Sequence, residues 1–251
     1  MKPFTLIHRV LDIFLPRSCV GCGKANEALC DACREVFYKF GGQCLFCGFR
    51  NKTSKICQTC LSKSDFNRSR RSLAIKQVLW TGRYESGLKE AIWQLKYKKR
   101  KELADPLAKM LVQKFDEIIG SKNSENFFVV PIPLHFKKEY ERGFNQSLLL
   151  AEKFSRATGI SLAKNVLEKV KETKAQVEVE NKSIRIQNLE NAFSANMPLL
   201  ASYNKASKEV AIILIDDVTT TGATLIHASK ALEQVGIKKI IGLVVAHGAG
   251  D

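Results

Sequence analysis

Eight cysteines restrict the possible folds of this chain more than any other part of its sequence. All of them lie between residues 19 and 60 of the 251 residues, and all occur in Cys-x-x-Cys pairs. The pairs are Cys19/Cys22, Cys30/Cys33, Cys44/Cys47 and Cys57/Cys60. Such a turn brings two sulfur atoms together, and two turns complete a tetrahedral zinc site. Eight ligands therefore predict two structural zinc ions, because no coordination position is left for water or substrate.

Spacing alone does not decide how the four pairs combine. The short gaps between successive pairs favour two sequential ribbons. An interleaved cross-brace stays open as the alternative. The sequential ligand sets are Cys19, Cys22, Cys30 and Cys33, and Cys44, Cys47, Cys57 and Cys60. Disulfides are disfavoured because His8, Arg9 and Asp12 interrupt the apolar N-terminus, which we interpret as an amphipathic helix and not a signal peptide. A thioredoxin-like redox site is disfavoured because no strand–helix pattern surrounds the pairs.

The chain is strongly basic. It contains 40 Lys and Arg against 25 Asp and Glu, a formal charge of +15. This charge favours polyanions, but it does not choose among nucleic acid, phosphorylated ligands and an acidic membrane surface, so peripheral membrane association stays open. No apolar run reaches the roughly 18 residues of a membrane span, and we expect a cytoplasmic protein. The densest basic run is a candidate nucleic-acid contact, with a solvated face as the alternative. Its members are Lys96, Lys98, Lys99, Arg100 and Lys101.

From residue 74 onward, short apolar runs alternate with amphipathic segments. The runs predict strands at 74–80, 127–132, 210–215 and 239–245. The amphipathic segments predict helices at 85–97, 101–119, 143–157 and 222–234. This alternation indicates an α/β fold whose parallel sheet is covered by helices on both faces. We therefore predict an N-terminal helix and zinc module over 1–70 and an α/β domain over 71–251, with a mobile hood over 160–190.

The segment IILIDDVTTTGAT, residues 212–224, is the most informative motif. A buried strand delivers two adjacent acids to the sheet edge where α/β proteins bind ligands, and a Thr- and Gly-rich turn then begins a helix. Backbone N–H groups and threonine hydroxyls at a helix N-terminus suit a phosphate. Asp216 and Asp217 suit sugar hydroxyls and magnesium. The alternative is that the acids only end a strand and a threonine caps the helix.

This motif resembles the phosphoribosyl pyrophosphate signature of type I phosphoribosyltransferases. Further segments occur in the order seen in the ComF family of competence-associated proteins. They are QLKYKK (94–99), VVPIPLH (129–135), ERGFNQS (141–147), KETKAQ (171–176) and the run 185–193. The resemblance extends from about residue 15 to 248. It implies a double zinc ribbon fused to a type I phosphoribosyltransferase fold, which binds phosphoribosyl pyrophosphate with magnesium. It also implies single-stranded DNA handling during natural transformation, with other competence proteins as partners.

The resemblance also assigns residues to the parts of the ligand. The 5′-phosphate would be held by Thr220, Thr221, Gly222, Ala223 and Thr224. The ribose hydroxyls and magnesium would be held by Asp216 and Asp217. The pyrophosphate would be held by Pro131, Ile132, Lys137, Lys138 and Arg142, with Asn145 and Gln146 orienting it.

Two positions depart from the family pattern. Purine-type relatives carry an acidic general base where this chain has Thr220, and the family usually has an apolar residue at Thr219. A threonine hydroxyl does not remove a proton near neutral pH, so the catalytic residues are unassigned. Two functions stay open: a phosphoribosyltransferase with an unknown acceptor, and a non-catalytic DNA-binding competence factor whose pocket senses a ligand. The DNA-binding function is favoured by aromatic residues that occur among the lysines and arginines and on which bases could stack. They are Phe46, Phe49, Phe66 and Tyr97.

Overall fold

The computed structural model describes residues 17–38, 42–44, 50–51, 55–62, 75–120, 126–171, 191–196 and 210–248. In its N-terminal part the elements are α1 Asp31–Phe37, β1 Gly42–Gln43, β2 Arg50–Asn51 and α2 Gln58–Ser62. Strands β1 and β2 pair antiparallel. The predicted N-terminal helix, Cys47, three of the four predicted aromatic residues and the predicted domain boundary at residue 70 lie outside the described residues.

The remaining elements form the predicted α/β structure. In chain order they are β3 Ile75–Arg83, α3 Ser86–Tyr97, α4 Ala104–Ile118, β4 Phe127–Pro131, α5 Phe136–Arg142, α6 Gln146–Thr158, β5 Leu167–Lys169, β6 Phe193–Ala195, β7 Ala211–Thr219, α7 Ala223–Gln234 and β8 Lys239–His247. A 3₁₀ turn, Lys101–Leu103, precedes α4. The main sheet has the order β3-β8-β7-β4, and its neighbouring strands are parallel. No described helix combines the length and the apolar character needed to cross a bilayer.

Both faces of this sheet are covered, which explains the continuous apolar run in β7. Ile213 and Ile215 belong to a buried cluster shared with α3, α4 and α6. Ile212 and Leu214 belong to a second buried cluster, shared with α7 and the small β5-β6 sheet. Because side chains alternate between the faces of a strand, the stretch 212–215, which is buried on both sides, is apolar at each position.

The structure differs from the sequence predictions in three places. Strand β7 continues to Thr219 because its last residues still pair with β8, so the two acids lie within the strand and not beyond its end. Helix α5 was not expected, since it has only 7 residues and buries none of them. In the predicted hood, Ala163 and Val166 are fully buried and β5 pairs with β6, while residues 172–190 lie outside the described part.

The first cysteine region packs directly against the α/β part. A Cβ atom placed on Gly82 would lie 2.4 Å from the Phe37 carbonyl oxygen, and one on Gly87 would lie 2.1 Å from Phe37 Cζ. The two glycines therefore leave the space that the end of α1 occupies. Beside them, the Tyr38 hydroxyl donates a 2.5 Å hydrogen bond to Glu117 on α4. These contacts fix α1 near the turn that joins β3 to α3.

Candidate functional site

The two adjacent acids of β7 form the centre of the candidate site. Asp216 and Asp217 are 7% and 3% exposed. Oδ1 of Asp216 accepts hydrogen bonds from the Ser147 hydroxyl at 2.8 Å and from the Asp217 backbone N–H at 2.9 Å. Oδ2 of Asp217 lies 2.6 Å from Nζ of Lys96. The acidic pair is thus held between the N-terminus of α6 and the last turn of α3.

Burial and neighbouring charge perturb two groups of this cluster. Burial and the charge of Asp217 raise the pKa of Asp216 to about 7, although the Ser147 hydrogen bond and Lys96 act in the opposite direction. Burial lowers the pKa of Lys96, but the nearby charge of Asp217 outweighs it and the net pKa is raised. Lys96 therefore stays a cation at neutral pH, whereas Asp216 changes its protonation there.

The turn after β7 leads into the N-terminus of α7 and carries several hydroxyl groups. Gly222 adopts φ 75°, a left-handed conformation that favours glycine, and α7 begins at the next residue. The Thr221 hydroxyl accepts a 3.3 Å hydrogen bond from the Ala223 backbone N–H. The hydroxyl oxygen of Thr220 is buried and has no hydrogen-bond partner among the described residues. Thr224 lies in the first turn of α7. A phosphate in this turn would meet hydroxyl groups and the positive end of a helix.

The loop after β4 lies next to the acidic pair. The Ile132 N–H donates to the Ile215 carbonyl at 2.9 Å, which holds the loop against β7 just before the acids. The Asn145 amide donates to the Ile132 carbonyl at 3.1 Å, and its Oδ1 accepts from the Ser147 N–H at 2.9 Å. Asn145 therefore connects this loop, which follows Pro131, to the helix that carries Ser147.

Several cations surround this loop. The Arg142 guanidinium donates to the Gln146 side chain and lies 5.3 Å from the ring centroid of Tyr97. Lys137 and Lys138 lie in the first turn of α5. Lys169, on β5, was not singled out by the sequence. Its pKa is lowered by burial and by the charge of Lys138, while Asp216 acts in the opposite direction, so all three groups lie within electrostatic reach.

The predicted basic run does not act as one strip. Lys96 points to the acidic pair, and its side chain is 17% exposed. Arg100 bonds to Glu102, Gln94 and the Ser18 carbonyl, so it joins the cysteine region to α3. A sequence signal for Lys96 exists, because it stands four and eight residues after the buried Ile92 and Leu88 and so shares their helical face.

Two other members of the run, Lys98 and Lys101, lie beside aromatic rings. Nζ of Lys98 is 5.4 Å from the centroid of Trp93, whose ring contacts Tyr97 at 6.0 Å. Nζ of Lys101 is 4.9 Å from the centroid of Phe144. Lys99 lies near Gly143, because a Cβ atom placed on that glycine would lie 3.8 Å from Nζ of Lys99. We call the set Trp93, Tyr97, Lys98, Lys99, Lys101, Arg142 and Phe144 the aromatic–basic surface. Tyr97 is 60% exposed, so this surface is open to a ligand.

The described cysteines form two groups that follow the sequential assignment. One contains Cys19, Cys22, Cys30 and Cys33, and the other contains Cys44, Cys57 and Cys60. Sulfur atoms held about 2.3 Å from one tetrahedral zinc lie about 3.8 Å apart. The Cys30 sulfur lies 3.7 Å from those of Cys19 and Cys22, far beyond the roughly 2.05 Å of a disulfide.

Backbone N–H groups support the same assignment. Those of Gly21 and Cys30 each lie 3.4 Å from the Cys19 sulfur, and that of Cys57 lies 3.4 Å from the Cys44 sulfur. Burial raises the pKa of Cys19, but backbone hydrogen bonds lower it to about 6, whereas burial and the neighbouring cysteine sulfurs raise the pKa of Cys33. A bound zinc would deprotonate the remaining thiols. Both groups therefore fit structural zinc.

No family model matches the chain, but it is similar to several curated proteins. It is 29% identical over 214 residues to "Competence protein ComFC" of Bacillus subtilis, covering 85% of this chain and 81% of that protein. It is 29% identical over 221 residues to "Competence protein F" of Haemophilus influenzae, covering 86% and 89%. It is 25% identical over 213 residues to "DNA utilization protein YhgH" of Escherichia coli K12, covering 83% and 85%.

Proposed function

The chain belongs to the ComF family of competence-associated proteins, and on this premise we propose that it binds phosphoribosyl pyrophosphate and handles single-stranded DNA in the cytoplasm during natural transformation. Its relatives bear names that refer to competence and DNA utilization, which supports the cellular part of the proposal. Partners of this protein would then include the transforming strand and other competence proteins.

The observation that carries the ligand assignment is the continuity of the acidic pair with the loop at the start of α7. Asp217 is separated from Thr220 by only two residues, and the loop ends in the left-handed Gly222. Carboxyl groups accept hydrogen bonds from sugar hydroxyls, and the loop offers N–H and hydroxyl donors to a phosphate. A sugar that carries a 5′-phosphate needs both groups within the length of one ribose.

Cations on α5 and β5 suit the pyrophosphate. Arg142 offers a planar fork of donors, while Lys138 and Lys169 supply point charges. In a transfer reaction, the bond between the anomeric carbon and pyrophosphate breaks, and the bonding electrons leave with the pyrophosphate. The acceptor then forms a bond to that carbon and loses a proton. Positive charge around the pyrophosphate would stabilise this leaving group.

Magnesium has a restricted place in this proposal. It would enter as the counter-ion of the pyrophosphate, bound to the ligand's own oxygens. It does not fit the acidic pair, because the ammonium of Lys96 already lies 2.6 Å from Asp217 Oδ2. The sequence prediction of magnesium at Asp216 and Asp217 is therefore not retained in the proposal.

A second candidate function is supported by Thr220. Its hydroxyl occupies the position at which purine-type relatives carry an acid, and a neutral hydroxyl does not take up the acceptor's proton near neutral pH. This favours a pocket that binds phosphoribosyl pyrophosphate and senses it without transferring its ribose. Both candidates use the same ligand, so they differ only in whether pyrophosphate is released.

The aromatic–basic surface supports the DNA part of the proposal. Proteins that bind single strands combine cations for the phosphates with aromatic rings on which bases stack. Tyr97 and Trp93 supply such rings, and Lys98 and Arg142 lie over them. The residues Trp93 and Tyr97 of this surface flank Lys96 in the chain, so a bound strand would pass beside the sugar-phosphate pocket.

Calorimetry with phosphoribosyl pyrophosphate and magnesium tests the pocket. The unmodified protein should bind, and the double variant Asp216→Asn, Asp217→Asn should lose binding. A matched control is Asp105→Asn, Asp116→Asn, which removes two exposed acids from α4. Failure of the unmodified protein to bind would exclude the pocket, and full binding by the first double variant would exclude its location.

Pyrophosphate release separates the two candidates. The protein would be incubated with phosphoribosyl pyrophosphate and a panel of bases, amines and oligonucleotides. Release that depends on one acceptor class identifies a transferase, whereas tight binding without release with every acceptor identifies a sensor.

Fluorescence anisotropy with a labelled oligonucleotide tests the surface. Affinity should fall with salt, with a slope of log K against log salt of about −0.7 for each neutralised phosphate. Lys98→Ala should reduce that slope by about one such contribution, and Tyr97→Ala should cost about 1–3 kcal/mol of stacking. The control Lys238→Ala removes an exposed cation just before β8 and should change neither. Salt-independent or undetectable binding would contradict the assignment.

A further inference from the structure

Lys96 is a buried cation in a place where the sequence predicts a metal ion. Its ammonium lies 2.6 Å from Asp217 Oδ2, and the two side chains are 17% and 5% exposed. The residue stands in the last turn of α3, where a helix favours positive charge. The contact is therefore built into the fold and is not a chance meeting of two surface chains.

The acidic pair requires a compensating charge. Two adjacent carboxyl groups taken out of water would repel each other, and an unpaired buried carboxylate is costly. Lys96 supplies that charge to Asp217. Asp216 is handled differently, since its Oδ1 accepts from the Ser147 hydroxyl and from the Asp217 N–H. Asp216 is thus held by hydrogen bonds, whereas Asp217 Oδ2 is compensated by the charge of Lys96 and has no hydrogen-bond partner among the described residues.

A divalent cation would meet a poor site here. Magnesium requires oxygen ligands at about 2.0–2.1 Å in near-octahedral geometry. At Oδ2 of Asp217 it would share one oxygen atom with the Lys96 ammonium, and two cations in contact with one atom repel each other. At Oδ1 of Asp216 it would compete with two hydrogen bonds.

We propose that Lys96 takes the place of a divalent cation at the acidic pair, so that a ribose phosphate binds Asp216 and Asp217 without a metal held by the protein. This inference rests on the proposed sugar-phosphate site and specifies its chemistry. Lys96 keeps Asp217 in position for the sugar hydroxyls. An ammonium has three donors, so those that Asp217 does not use can reach a ligand oxygen.

Manganese binding tests the charge of the site without any ligand. Electron paramagnetic resonance of zinc-loaded protein follows free Mn²⁺. The unmodified protein and Lys96→Arg should take up no more Mn²⁺ than the variant Asp217→Asn. Lys96→Met should take up about one further equivalent, because two carboxyl groups are then left without a cation. The double variant Lys96→Met, Asp217→Asn should lose that uptake, and Lys89→Met, an exposed lysine of the same helix, should match the unmodified protein.

Two results would overturn the inference in this assay. One is a Mn²⁺ ion on the unmodified protein that Asp217→Asn removes. The other is a folded Lys96→Met variant, checked by circular dichroism, that binds no additional Mn²⁺.

A second measurement needs no variant and is independent of folding effects. Ribose 5-phosphate lacks pyrophosphate and so brings no strong magnesium site of its own. Its affinity for the unmodified protein, measured by calorimetry, should agree within about twofold in magnesium buffer and in magnesium-free buffer prepared with a chelating resin. A loss of about tenfold without magnesium would overturn the role of Lys96 and leave the sugar-phosphate site standing. If neither ribose 5-phosphate nor phosphoribosyl pyrophosphate binds, the proposed function fails instead, and the Mn²⁺ assay still decides what Lys96 does.

Discussion

Asp216 should make the stability of this protein decrease between weakly acidic and neutral pH. Its pKa is about 7 in the folded protein, raised by burial and by the charge of Asp217, against 3.8 for an ordinary aspartate. The folded state therefore binds this proton more tightly than the unfolded chain, and the free energy of unfolding falls as the pH rises from about 4 to 7. A pKa difference of about 3, at about 1.4 kcal/mol each, gives about 4 kcal/mol in full.

The substitution Asp216→Asn isolates this effect. The amide has nearly the same shape, and its oxygen can still accept from the Ser147 hydroxyl, but it never ionises. The charged groups around it, Asp217, Lys96 and Lys169, are unchanged. The variant should therefore be more stable than the unmodified protein, and its advantage should grow by about 2 kcal/mol between pH 5.5 and pH 8.

Urea unfolding at a series of pH values measures this advantage directly. The comparison uses the difference between two proteins at each pH, so the pH dependence of the zinc sites is common to both. Glu85→Gln, at an exposed acid just before α3 whose side chain makes no capping hydrogen bond, is the matched control and should give a flat difference. Parallel stability curves for Asp216→Asn and the unmodified protein would show that Asp216 ionises normally in the fold and would refute the reasoning.

Three further predictions concern the fold and the loop. Gly87→Ala should cost about 1–3 kcal/mol in urea unfolding, because its Cβ would stand 2.1 Å from Phe37 Cζ, and the cost should largely disappear in a Phe37→Ala background. Thr221→Val should weaken ribose 5-phosphate binding about tenfold in calorimetry, since it removes a hydroxyl from the phosphate loop; equal affinity would exclude that contact. Removal of zinc should lower the unfolding temperature of the α/β part, because Cys19 and Cys30 belong to its buried core. Tryptophan fluorescence reports this transition, since both tryptophans of the chain lie in the α/β part. An unchanged unfolding temperature would contradict this coupling.

The framework of the fold could be predicted because its signals are local. Residues 212–215 are apolar without interruption, which predicts a strand buried on both faces, and the structure confirms it. Gly222 marks the start of α7 through a conformation that other residues adopt only with strain. Helix α5 could not be found in this way, because it has only 7 residues and its apolar residues Phe136 and Tyr140 are exposed.

The contacts of the candidate site could not be predicted, because they join distant parts of the chain. Ser147 and Asp216 are 69 residues apart, and nothing in either segment identifies the other as its partner. Lys96 is a member of a basic run in the sequence, where its neighbours are exposed. Its helical phase places it on the buried side, but only the fold shows that an acid lies there. Charge patterns indicate how many cations a segment has, and packing decides which of them meet solvent.

One helix end connects both parts of the proposed function. Lys96 faces the acidic pair, and the next residue, Tyr97, is exposed on the aromatic–basic surface. Arg142 lies between the two: its guanidinium is over the Tyr97 ring, and it is near enough to Lys96 for its charge to lower the pKa of that lysine. A pyrophosphate that drew Arg142 into the pocket would therefore remove a cation from the ring on which a base is expected to stack. Ligand and DNA would then compete for the Arg142 side chain, so ligand binding in the pocket would lower the affinity of the aromatic–basic surface for a DNA strand.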